Sequence, residues 1–262
     1  MSSILEKIIE QKRLEIRQRK LETPVVRLSE SPFFSRTTLS LKQKLQDSES
    51  SGIIAEFKRK SPSAGWIYRN ADPVEITQGY VRSGATALSV LTDRKFFAGS
   101  RDDVMKAREV NECPILRKEF IIDPYQVVEA KAIGADVILL IASVLDNSSI
   151  VELAGKAHEV GLEVLLEVHE ASELAYLNEW IDIVGVNNRN LKKMETDVRT
   201  SVDMAGKIPD GFVKISESGI HDAKTISALK DLGYRGFLIG EFFMKHKKPV
   251  KACRDFIQRM QK

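Results

Sequence analysis

The chain has 262 residues, 43% hydrophobic and 29% charged, with a formal net charge of +3. That length suits one large core, and so small a charge excess demands neither nucleic acid nor an anionic membrane as partner. Cys113 and Cys253 make no disulfide framework or CxxC pair, no long uncharged apolar run reads as a membrane span, and the charged N-terminus is not a signal peptide, so a cytoplasmic address is expected.

Ile4, Leu5, Ile8 and Ile9, with Glu, Lys and Arg between them, predict an amphipathic first helix. Pro24 and Pro32 interrupt the chain, and Leu39, Leu41 and Leu45 predict a second short helix before Gly52. Residues 1–52 therefore read as a helical extension of one domain, packed on a repeating part that occupies 53–262. We expect these helices to shield the mouth of that repeating part from water, with no fused second domain.

From Ile53 onward short apolar runs alternate with amphipathic stretches. The runs are Ile53–Phe57, Thr86–Leu91, Pro114–Lys118, Ala135–Ile141, Leu162–Val168, Ile183–Asn187, Phe212–Ser216 and Arg235–Ile239, each the length of a buried strand. Helices are predicted over Pro73–Ser83, Arg101–Val110, Pro124–Ile133, Ser148–Val160, Ala171–Asn178, Asp197–Ala205, Asp222–Asp231 and Pro249–Met260. Gly84, Gly134 and Gly161 stand just before a strand, where a left-handed helix cap belongs. Eight strand–helix units imply parallel pairing through right-handed crossovers. An open doubly wound sheet is the competing architecture. The unit count, and the lack of GxGxxG or GxxxxGK[ST], favour a closed α/β barrel, the (β/α)₈ or TIM barrel, with extra N-terminal helices.

Active sites of such barrels lie where the strands end. Polar or ionisable groups close six of the runs: Glu56 and Lys58, Lys118, Glu167, Asn187 with Arg189, Glu217, and Gly240-Glu241. Any one could be a solvated charge at a strand exit; six together point to a site. Alternation puts Glu56 and Lys58 on one side, facing the barrel mouth. Buried carboxylates and ammoniums there need each other as partners, and such pairing shifts them toward acid–base work. Ser218-Gly219 and Gly240-Glu241 follow the seventh and eighth strands, where backbone N–H groups of this fold recurrently hold phosphate. The four histidines, His158, His169, His221 and His246, are scattered without HExxH spacing, so no metal site is expected.

Ile54-Ala55-Glu56-Phe57-Lys58-Arg59-Lys60-Ser61-Pro62-Ser63 resembles the Glu-x-Lys-x-x-Ser-Pro-Ser signature of the indole-3-glycerol-phosphate synthases. Ser89–Asp93, Phe96–Ser100, Leu116–Asp123, Glu167–His169, Gly185–Leu191, Ser216–Ile220 and Phe237–Gly240 are similar to the same family, in the same order, along the whole chain. The resemblance implies a lyase of tryptophan biosynthesis that needs no cofactor or metal. Its substrate would be a phosphorylated small molecule, 1-(2-carboxyphenylamino)-1-deoxyribulose 5-phosphate. It would be converted to indole-3-glycerol phosphate, carbon dioxide and water.

By this resemblance Lys118 is the general acid of ring closure and Glu167 the acid–base group of dehydration. Glu56 and Lys58 support them, Lys58 also serving as an acid or a phosphate contact. Asn187 and Glu217 orient the catalytic groups or bond substrate. Ser61 and Arg189 take the anthranilate carboxylate, guanidinium offering a planar two-point contact. Phe97, Phe120 and Leu191 line an apolar slot for the aromatic ring, and Ser218, Gly219, Gly240 and Glu241 form the phosphate loops. Glu241 departs from the family pattern, where serine is frequent. Its carboxylate is expected to turn away while its N–H faces the phosphate. A monomer is expected. Two alternatives stay open: a barrel like phosphoribosylanthranilate isomerase, or a non-catalytic phosphosugar-binding subunit. The first would want a cysteine ending the first strand, where Glu56 and Lys58 stand; the second could dispense with Lys118 or Glu167.

Overall fold

The computed structural model describes residues 3–190 and 195–260. Among them, eight parallel strands close into a barrel: β1 (Ile53–Phe57), β2 (Ala87–Leu91), β3 (Ile115–Lys118), β4 (Val137–Ile141), β5 (Glu163–Val168), β6 (Ile183–Asn187), β7 (Val213–Glu217) and β8 (Tyr234–Ile239). They stand in sequence order around the barrel, and β8 pairs back onto β1. The described helices are α1 (Ile4–Glu22), α2 (Val25–Ser29), α3 (Leu41–Gln46), α4 (Pro73–Arg82), α5 (Arg94–Phe97), α6 (Arg101–Val110), α7 (Pro124–Ala132), α8 (Asn147–Glu159), α9 (Arg199–Ala205), α10 (Ala223–Asp231), α11 (Glu241–Met244) and α12 (Pro249–Met260).

The period of two along each strand sorts its side chains into two layers. Ala55, Phe57, Leu88, Val90, Ile138, Leu140, Val164 and Leu166 join the main core with the helices. Ile54, Leu116, Leu139, Leu165, Ile215 and Leu238 fill the barrel interior. Leu41 and Leu45 of α3 belong to that inner cluster and are 0% and 3% exposed. The N-terminus of α3 is held by Glu163 at the start of β5, whose carboxylate accepts the Leu41 and Lys42 N–H groups. α3 therefore plugs the barrel at the end opposite its mouth.

α1 crosses the other end. Its Lys12 is fully buried, with Nζ 2.8 Å from Glu15, 2.9 Å from Asp93 and 3.0 Å from Glu119. Removing an ammonium from water is costly, and three carboxylates at contact distance offset that cost. A second buried cluster continues the seam: Glu129 of α7 takes Arg117 of β3 at 2.5 Å, Arg101 at 2.9 Å and Arg19 of α1 at 3.2 Å.

The predicted elements differ from the fold in a few places. The segment read as a helix over Ala171–Asn178 is a 3₁₀ turn, Ala171–Tyr176. The Glu173 carboxylate is spent on the His169 and Glu170 N–H groups, and the chain must enter β6 at once. α9 begins two residues later than predicted, because the Asp197 side chain accepts the Arg199 N–H from outside the helix. β7 runs one residue further, which puts Glu217 on the strand itself. Gly84, Gly134 and Gly161 do adopt positive φ, as their cap positions require.

Candidate active site

Along five of the strands an apolar residue or glycine on the inner face is followed, two positions on, by a polar residue at the mouth. Ile54 is followed by Glu56 and Lys58, Leu116 by Lys118, Leu165 by Glu167, Gly185 by Asn187, and Ile215 by Glu217. A step of two keeps the same face, so these groups converge at the mouth. They line a cavity of about 380 Å³. Ser61, Phe97, Phe120, Arg189, Ser218, Gly219, Gly240 and Glu241 line it too. Every candidate named from the sequence thus meets in one place, apart from Leu191, which lies outside the described residues.

At the centre, Lys118 Nζ donates to Glu167 Oε2 at 2.7 Å and to Glu217 Oε2 at 2.6 Å. Burial by itself would lower the Lys118 pKa. The carboxylates of Glu167, Glu217 and Glu56 outweigh it and hold the ammonium well above its ordinary value. Burial would likewise raise Glu167, but Lys118, His169 and the Asn187 amide hold it below the usual carboxylate range. Glu217 goes the other way. Burial pushes it up, and the charges of Glu167 and Glu56 add to that against the pull of Lys118. Two carboxylates sharing one ammonium are thus driven apart, the arrangement that separates an acid from a base at one pH.

Beside them Lys58 Nζ donates to Glu56 Oε1 at 2.6 Å, and both side chains are nearly buried. Glycine is required next to this pair for space. A Cβ on Gly240 would lie 2.8 Å from the Glu56 Cβ and collide with its Oε1. A Cβ on Gly185 would collide with Glu217 Oε1. Neither steric role was read from the sequence, because both depend on a neighbouring strand.

The rim carries the polar loops. Arg189 reaches from the end of β6, Nη1 donating to Ser63 Oγ at 2.9 Å and Nη2 to Glu241 Oε2 at 3.3 Å. The Glu241 side chain therefore does not turn away from the cavity, as expected from the sequence; it lies along its edge. The guanidinium supplies the positive partner that makes this position tolerable. Ser61 is buried, its hydroxyl accepting the Ala64 N–H at 3.1 Å. Ser218 and Gly219 both have positive φ, at 68° and 75°, which turns the chain sharply after β7. Asn188 fixes that turn by donating to the Ser218 carbonyl at 3.0 Å. Gly240 precedes α11, so the first N–H groups of that short helix open beside the cavity.

The apolar wall is made by Phe97 and Phe120, ring centroids 6.1 Å apart, and by Ile4, Leu5 and Ile8 of α1. These three residues were read only as a helix stripe. Their place over the mouth is consistent with the expected shielding from water. Among the described residues no group of three or more His, Cys, Asp or Glu is arranged to hold a metal ion, and no helix is long and apolar enough to cross a membrane.

Two solved structures with this architecture are distant in sequence and speak for the fold alone. A 3-hexulose-6-phosphate synthase from Salmonella typhimurium superposes with TM-score 0.64 at 15% identity, covering 80% of this chain and 98% of that one. The tryptophan synthase alpha subunit of Legionella pneumophila gives TM-score 0.60 at 14% identity, covering 84% and 95%. Relatives by sequence are far nearer. An indole-3-glycerol phosphate synthase of Bacteroides thetaiotaomicron is 49% identical over 261 residues, covering 100% of both chains. One of Salinibacter ruber is 43% identical over 253 residues, covering 95% of this chain and 93% of its own. A model of the indole-3-glycerol phosphate synthase family matches residues 5–256. The chain belongs to the indole-3-glycerol phosphate synthase family.

Proposed function

We propose that this chain converts 1-(2-carboxyphenylamino)-1-deoxyribulose 5-phosphate to indole-3-glycerol phosphate, carbon dioxide and water. The reading rests on one observation above the others: a lysine held by two glutamates inside the barrel mouth, Lys118 between Glu167 and Glu217. The aromatic carbon that bears the carboxylate attacks the sugar ketone, and Lys118 gives a proton to the ketone oxygen as the new bond forms. The carbon–carboxylate bond then breaks, its electron pair returning to the ring as carbon dioxide leaves. Dehydration takes a proton from the carbon next to nitrogen and gives one to the departing hydroxyl, with Glu167 as the acid–base group. Two protons go to oxygen and one comes from carbon, so each turnover takes up one proton from solvent.

Glu217 and Asn187 orient Lys118 and Glu167, and Glu56 orients Lys58, which stands beside Gly240 as a second acid or a cation for the phosphate. Phosphate sits against the backbone of Ser218-Gly219 and Gly240-Glu241, where positive φ and a helix start leave N–H groups to receive it. Arg189 and Ser61 take the substrate carboxylate, and the ring lies against the wall made by Phe97 and Phe120. One chain supplies every group of the site, which supports a monomer as the working unit. Burial pushes the thiols of Cys113 and Cys253 up to about 12, and both are unpaired, in keeping with a reducing cytoplasm.

Indole fluorescence followed against time, with purified protein and the carboxyphenylamino substrate, tests this. A rise that Lys118→Ala abolishes is expected. Folded protein that binds phosphate tightly without any rise would instead make it a phosphosugar-binding subunit.

A further inference from the structure

We propose that His169 is a positioning residue for Glu167, setting its carboxylate from behind the cavity wall. The inference rests on the reading of Glu167 as the acid–base group. His169 follows Glu167 by two positions, just past the end of β5. Its Nε2 stands 3.5 Å from Glu167 Oε1, while Oε2 is taken by Lys118 at 2.7 Å. The two oxygens are thus addressed from two sides.

The imidazole lies between two carboxylates, since its Nδ1 is 3.8 Å from Glu173 Oε2. Glu173 also locks the histidine backbone, accepting the His169 N–H at 2.5 Å and the Glu170 N–H at 3.3 Å. The 3₁₀ turn after β5 is therefore shaped around this residue. Both ring nitrogens are buried, and neither completes a hydrogen bond with the described residues. A buried imidazole in that state is costly unless a partner comes within reach. The nearest candidate for Nε2 is Glu167 Oε1, a small side-chain rotation away.

His169 is not among the residues that line the cavity, so it has no direct claim on substrate. Its effect must pass through Glu167. A donor at Oε1 fixes the plane of the carboxylate and leaves Lys118 on the other oxygen.

The test uses His169→Leu, His169→Gln, His169→Asn, Glu167→Gln and the double variant Glu167→Gln/His169→Leu, each assayed for kcat and KM. A carboxylate left free to turn is expected to lower kcat about ten-fold in His169→Leu with KM within about two-fold. Gln places an amide nitrogen near Nε2 and is expected to restore most of kcat; Asn mimics Nδ1 and is not. In the Glu167→Gln background, His169→Leu should have no further effect. Unchanged kcat in His169→Leu overturns the proposal, as does an equal loss in both backgrounds. Should His169→Leu fail to fold, the contrast of Gln with Asn decides alone, and equal kcat in those two overturns it. Full activity in Glu167→Gln overturns instead the role given to Glu167.

Discussion

A single Cβ decides whether the carboxylates of this site can stand where they do. Gly240 and Gly185 leave room for Glu56 and Glu217, and alanine at either position would press on a buried charged side chain. Gly240→Ala is expected to cost about 1–3 kcal/mol of stability through overpacking. Its kcat should fall further than stability explains, because Glu56 and Lys58 move together. Urea unfolding beside steady-state kinetics checks both, and an unaltered kcat would remove Glu56 from the orienting role. Glu217 offers a pH test. Its folded pKa lies near 7, above the ordinary 4.5, so the native state keeps a proton that the unfolded state releases. Ionising Glu217 therefore takes stability away as pH rises from about 4.5 to about 7, whereas Glu167, shifted down, adds stability above its ordinary value and loses it as pH falls. Glu217→Gln should gain stability relative to the parent between pH 5 and pH 8. A gap that stays constant across that range would mean that Glu217 is not proton-bound in the native state.

At the scale of the element, α1 is held by charge and works by apolar contact. Lys12 satisfies Asp93 and Glu119, both themselves buried, so Lys12→Met would leave two carboxylates with no ammonium between them. We expect a loss of about 3–5 kcal/mol, as for other broken buried pairs. A raised KM should accompany it, since Ile4, Leu5 and Ile8 ride on the same helix. Denaturant unfolding and substrate titration of that variant check the two effects; a large stability loss with unchanged KM would free α1 of any part in the site. This seam was not legible beforehand. Lys12, Arg117 and Glu119 were not singled out in the sequence, and only packing brings them together in a buried seam. The short elements α2, α5 and α11 were not read either. At four or five residues they carry too little periodicity to stand out, and α11 takes its start from Gly240, which was read for phosphate alone.

For the whole molecule, the N-terminal extension does two separate jobs at the two ends of the barrel. Leu41 and Leu45 close the interior at one end, while α1 covers the mouth at the other. Removing residues 1–23 should leave a folded barrel that binds substrate weakly. Removing 1–46 should also expose the inner cluster and lower Tm further. Thermal unfolding of the two truncated chains separates the roles; equal Tm values would show that α3 does not plug the barrel. The sequence alone determined the strand count, the parallel barrel and the polar groups that close six of the strands. A two-residue alternation and a helical repeat are local signals, readable along the chain. It also carried the motifs that place the chain in its family. Only the tertiary structure decided which charges meet. Lys118, Glu167 and Glu217 are up to 99 positions apart, and closure of the barrel brings them within hydrogen-bond reach. The same closure opposes the pKa shifts of the two glutamates and makes Gly185 and Gly240 sterically necessary. Those effects act across space between neighbouring strands, and no spacing along the chain encodes them.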